Sequence, residues 1–186
     1  MWANIKHRMT EEELLKGCLE ERQDCQRELY KRFAGKMMVV CLRYAKDKLE
    51  AEDMLQDGFI KVFDNVGKFK QEGSLEGWVR RIMVNTALNK IRANKMKFED
   101  ISETGSHLAD GDANIIDKLS EEAILEIISH LPNGYKYVFN MFAIEGFSHK
   151  EIAEKLGIEE ASSRSQYAKA RKYLQNQIIQ LEHIKL

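Results

Sequence analysis

One proline, Pro132, stands in 186 residues. Proline removes a backbone donor and breaks a helix from within, at about 3 kcal/mol. A chain that nearly excludes it, and is rich in Lys, Glu, Leu, Ile and Ala, is free to be helical almost throughout. The apolar spacing agrees. Leu14, Cys18, Cys25, Leu29, Phe33, Met37, Cys41 and Tyr44 recur mainly at steps of four, the stripe of helices laid on a core. A break at 21–24 divides that stripe into a short helix and a long one, and 46–50 reads as a polar turn.

Residues 51–63 form another amphipathic helix, with Met54, Leu55, Phe59, Ile60, Val62 and Phe63. A glycine-bearing loop, 65–74, follows. Ser74 caps a helix running to about Lys95. Residues 98–117 hold glycines, small polar residues and acids, and read as a flexible linker. Helical spacing resumes at Leu119, Ile124, Leu125, Ile127, Ile128 and Leu131. Pro132 stops that helix and suits the first turn of the next, which Gly146 ends. The expected fold is all-α: two helical domains, 9–97 and 118–182, joined by the linker 98–117.

The net charge of −1 hides a pattern. Residues 66–97 carry eight basic side chains against Glu72 and Glu76. Residues 98–117 carry six acids and no Lys or Arg. Residues 161–181 carry four basic side chains and no acid. Two basic blocks thus flank an acidic one, a distribution that suits nucleic acid. Other classes are disfavoured. No apolar run is long enough to span a bilayer, and the first residues lack a signal peptide's apolar core, so the expected location is cytoplasmic. Cys18, Cys25 and Cys41 show no metal-ligand spacing and read as buried reduced thiols. None of the five histidines (His7, His107, His130, His149, His183) sits in a ligand or triad spacing, and no GxxxxGK loop is present. We expect no metal, no cofactor, no small-molecule substrate and no catalysis.

Two segments carry recognition chemistry. At residues 147–174, Ser148 and Glu151 form a capping box. Ile152 and Leu156 face inward, and Ala153 is small where helices cross closely. Gly157 takes a left-handed turn and Ile158 closes the corner. The next helix exposes Ser162, Arg164, Ser165, Gln166, Lys169 and Arg171, donors that grip phosphates and read major-groove edges. This is the spacing of a helix-turn-helix. At residues 74–95, Val79, Ile82, Met83, Thr86 and Ile91 suit a buried face, while Trp78, Arg81, Asn85, Asn89 and Arg92 share another. An aromatic ring among arginines and amides suits unstacked bases as well as a core position.

Ala51, Glu52, Asp53, Gln56 and Asp57, then Phe59 and Phe63, then the WxRRIxxNxALNxxR helix at 78–92, resemble region 2 of bacterial sigma factors. LPNGYKYVFNMFAIEGFSHKEIAEKLGI, followed by SSRSQYAKARKYL, resembles their region 4. Order and spacing are similar to the extracytoplasmic-function (group 4) sigma factors, especially the Bacteroidetes-like branch. Ala161 stands where many members have Gly, and Ser163 where many have an aliphatic residue.

The resemblance implies a promoter-specificity subunit. Asp53, Gln56, Asp57, Phe59, Ile60 and Phe63 would bind core RNA polymerase. Asn65, Lys68, Lys70, Trp78, Arg81, Asn85, Asn89 and Arg92 would engage the minus-10 element and its melted strand, with loop 65–74 capturing a base. Ser162, Arg164, Ser165, Gln166, Lys169 and Arg171 would enter the major groove at the minus-35 element. The acidic linker would thread toward the polymerase active site and RNA exit path. An anti-sigma factor would be a further partner, and the holoenzyme would sit on the nucleoid. The alternative is a stand-alone helix-turn-helix regulator with an N-terminal sensing or dimerising bundle. It would need duplex DNA alone, usually at a palindromic site.

Overall fold

Several of the described helices open on a local cap. The computed structural model describes residues 9–98 and 126–183. Helix α1 (Glu11–Leu19) opens on a capping box: the Glu13 amide donates to Thr10 Oγ1 and the Thr10 amide donates back to the Glu13 carboxylate. Glu21, at φ 55°, turns the chain into α2 (Gln23–Leu42), dividing the stripe as its spacing predicts. The two helices touch at Gly17, where a Cβ would lie 2.1 Å from Cys25 Sγ. Asp47 caps α3 (Lys48–Asn65), accepting from the Glu50 amide at 2.8 Å. A single 3-10 turn (Val66–Lys68) leads into the loop. Ser74 Oγ then accepts from the Gly77 amide at 3.1 Å and opens α4 (Leu75–Phe98).

These helices make the core of the first of two units, which divide between Ile91 and Arg92, inside α4. Leu14, Leu29, Met54, Val62, Val79 and Met83 are fully buried in it. Each such side chain contributes about 1.5–3 kcal/mol by leaving water. Gly58 on α3 faces Met83: a Cβ there would lie 2.2 Å from Met83 Sδ, so glycine lets the methionine fill the space. Val79, Met83 and Thr86 are buried as expected, whereas Ile82 and Ile91 are half-buried; Val84, Ala87 and Leu88 complete the inner face instead. All three cysteines are buried and free.

Beyond α4, the described residues of the second unit resume with helical residues 126–129. The expected linker 98–117 and the positions Leu119, Ile124 and Leu125 lie outside the described residues. Ile128 and Leu131 pack with Ala170, beside Tyr135, Tyr173 and Leu174. Pro132 sits at the N-cap of α5 (Asn133–Phe139), one position before the first turn. The next residues, Asn140–Ile144, widen into a π-helix that periodicity does not signal. Gly146, at φ 75°, ends it. Ser148 and Glu151 form the expected capping box of α6 (His149–Leu156). Gly157 takes φ 66°, ψ 41° at its C-cap. Helix α7 (Glu160–His183) follows. No strand is present among the described residues.

Candidate nucleic-acid interface

The outward face of α4 gathers the side chains that its spacing places there. Arg81, Asn89 and Arg92 are exposed, and Trp78 and Asn85 are half-buried. Trp78 is not a bare platform. Phe69, from the preceding loop, lies against it with centroids 5.4 Å apart and planes tilted by 46°. Such a pair contributes about 0.5–1.5 kcal/mol beyond burial and ties the loop to the helix. Asn65 fixes the other end: its side-chain amide donates to the Lys61 carbonyl at 2.8 Å, and its oxygen accepts from Lys68 Nζ at 2.6 Å. Lys70 is exposed. Gln71, at φ 58°, and Gly73, at φ 92°, bend the loop between these anchors. A cleft of about 300 Å³ opens between the loop and the first turn of α1, lined by Thr10, Glu11, Glu12, Leu15, Phe69, Gln71 and Gly73.

On α3, Asp53, Gln56, Asp57 and Ile60 are exposed. Ile60, at 58% exposure, is an apolar side chain left in water. Phe59 differs from expectation. It is 3% exposed, packed against Tyr30 at 4.6 Å and Phe63 at 6.1 Å. Apolar area drives it inward, so it holds α3 on α2 and presents nothing outside. Tyr30, 39% exposed over Phe59, is an outward aromatic the sequence reading missed. Its signal was its place beside Leu29 and Phe33, at the edge of the buried stripe.

The helix-turn-helix forms from α6 and α7. Arg164, Ser165, Lys169 and Arg171 are exposed on α7, while Ser162 and Gln166 are half-buried. Gln166 lies across Gly134 on α5, where a Cβ would meet its Oε1 at 3.1 Å. Arg164 pairs with Glu160 one turn earlier. An exposed i,i+4 pair stabilises by only about 0.3–0.5 kcal/mol. A bidentate acceptor, worth about 1–3 kcal/mol, outweighs such a pair.

Ser163 is fully buried, in the place where an aliphatic residue is common. It shares a 2.9 Å hydrogen bond with His149 Nδ1. His149 stacks on Phe142 at 4.3 Å with planes 14° apart and meets Tyr167 edge-on at 5.9 Å. The polar pair therefore replaces an apolar contact between α6 and α7. Burial holds the His149 imidazole below its ordinary pKa; Arg164 pushes the same way and Glu160 opposes.

Comparison with known proteins gives two family matches. Residues 29–96 match the model described as Sigma-70 region 2, and residues 121–174 the model described as Sigma-70, region 4. The chain is 30% identical over 162 residues to the ECF RNA polymerase sigma-E factor of Haemophilus influenzae, covering 81% of this chain and 85% of that one. It is 27% identical over 169 residues to the ECF RNA polymerase sigma factor SigW of Bacillus subtilis, covering 84% and 90%. Among solved structures it resembles the sigma factor RpoE of Bartonella quintana, held in complex with the anti-sigma factor NepR. There the TM-score is 0.51 at 18% identity, with 81% of this chain and 94% of that one covered, a likeness of fold alone.

Proposed function

The chain belongs to the extracytoplasmic-function sigma factors, and on that premise we propose that it directs core RNA polymerase to promoters by dividing the contacts between its two units. Residues 9–97 act as region 2, 98–117 as an acidic linker and 118–182 as region 4. Asp53, Gln56, Asp57 and Ile60 contact core polymerase, with Phe63 at the margin and Phe59 supporting from beneath. Lys68, Lys70, Arg81, Asn85, Asn89 and Arg92 hold the minus-10 element, while Asn65 and Trp78 brace the loop that captures a base. Ser162, Arg164, Ser165, Gln166, Lys169 and Arg171 form the minus-35 reading face.

One observation carries this reading: Phe69 braces the cleft-bearing loop against Trp78, on the same helix as the exposed Arg81, Asn89 and Arg92. A ligand sensor attached to a DNA reader needs no such arrangement. Glu11 and Glu12 on the cleft repel phosphate but accept from the exocyclic amine of an extruded base. Magnitudes fit. Opening a base-pair step costs about 1.4 kcal/mol of stacking. One stacked base returns about 1–3 kcal/mol, so a captured base plus a few cation contacts suits a short bubble.

The role is non-catalytic and cytoplasmic; no helix among the described residues is long and apolar enough to cross a membrane. An anti-sigma factor, the kind of partner seen with the Bartonella protein, covers these faces when the chain is idle. Pull-down with core polymerase and run-off transcription test the proposal. Polymerase-dependent transcripts from a cognate promoter are expected. Tight operator binding without polymerase, and no transcription with it, would overturn it.

A further inference from the structure

Lys90 belongs to α4 but reaches α3. Its Nζ lies 3.5 Å from Asp53 Oδ2 and 3.8 Å from Asp57 Oδ2. The lysine side chain is 27% exposed, whereas the two carboxylates are 59% and 54% exposed. The cation thus covers the inner side of the carboxylate pair and leaves the outer side open to a second cation. Exposed pairs of this kind are weak enough for one cation to displace another.

Resting on the polymerase and promoter roles above, we propose that Lys90 is a charge-exchange residue that couples polymerase docking on α3 to phosphate binding on α4. In the free chain its charge is spent on Asp53 and Asp57. A cation of core polymerase that takes those carboxylates raises the positive potential at Lys90 and loosens its hold. Its flexible stem then lets the ammonium turn to a backbone phosphate, next to the exposed Asn89. Holoenzyme therefore gains one phosphate contact that the free chain lacks, with no change of fold. Lys90 is a positioning residue for charge; it carries no sequence information.

The test uses full-length Lys90→Met, which keeps the aliphatic stem, and Lys90→Arg as a charge-retaining control, both checked for wild-type melting. Lys90→Met removes a competitor for the carboxylates, so affinity for core polymerase should rise about twofold to fivefold. Holoenzyme binding to a promoter fragment should lose one phosphate contact. The slope of log affinity against log salt then becomes shallower by about 0.9. The free chain on the same fragment should show an unchanged slope, and Lys90→Arg should track wild type throughout. An unchanged holoenzyme slope, or a core affinity that stays level or falls, overturns the coupling. Wild type failing to bind core polymerase at all overturns the proposed function itself, which separates the two failures.

Discussion

The two units solve the same problem, presenting cations to DNA, on different foundations. The first unit separates its recognition face from its core. Beneath Arg81 and Asn89 lie Val79, Met83, Val84 and Leu88, all essentially out of water. The second unit fastens its reading helix with a polar pair, Ser163 and His149, inside a cluster of Phe142 and Tyr167 rings. An apolar core is indifferent to pH, whereas a half-buried imidazole is not. The difference teaches that the minus-35 reader joins its two helices through an imidazole, whereas α1 and α2 meet at Gly17 and Cys25.

The largest effect should come from truncating the apolar foundation. Leu29→Ala in the first unit should cost about 2–5 kcal/mol, read as lost amide-exchange protection across α1–α4. A loss under about 1 kcal/mol would erase the contrast with the second unit. Next, Gly157→Ala should cost about 1–2 kcal/mol, because the left-handed backbone at φ 66° crowds a Cβ. Thermal melting of the variant checks it; a neutral result would mean that the turn tolerates another backbone.

A smaller effect, and the sharpest test of the contrast, is pH. The folded imidazole of His149 binds protons less readily than the unfolded one, because burial favours its neutral form. The unfolded chain therefore takes up more protons as pH falls. Stability from this site is fully present above the ordinary histidine pKa of about 6.5 and is lost as pH falls below it. Melting followed at α6 and α7 from about pH 7.5 to about pH 5.5 should show that decline. His149→Phe, which keeps a ring on Phe142, should flatten it. A slope that survives the substitution would place the titrating group elsewhere. The smallest effect is Glu160→Gln. Releasing Arg164 should raise affinity for a minus-35 duplex about twofold. Weaker binding would mean that Glu160 positions the guanidinium usefully.

Short-range features were legible. The Ser148–Glu151 box and the Gly157 turn form within a few residues, so their chemistry is written in neighbouring positions. The same holds for the α1–α2 break and the Ser74 cap. What was hidden involves partners far apart in the chain. The resemblance sets Phe59 on the polymerase face, although the 51–63 pattern counts it among the apolar positions, and Tyr30 covers it. Lys90 reads as one more cation of a basic block, yet its partners lie on another helix, Asp53 being 37 residues away. The π-helix at Asn140–Ile144 has no periodic signature, since one extra residue shifts a face without changing its composition.

The sequence by itself determined that the chain is helical, where most helices start and stop, and which helices carry cations for DNA. Backbone hydrogen bonds and caps are local, and proline and glycine act where they stand. Only the tertiary structure decided which of those cations are engaged. It set Lys90 on two carboxylates, Phe69 on Trp78 and Ser163 on His149. Charge, ring and hydroxyl partners are chosen by proximity in space, and proximity between helices appears only once the apolar faces have packed.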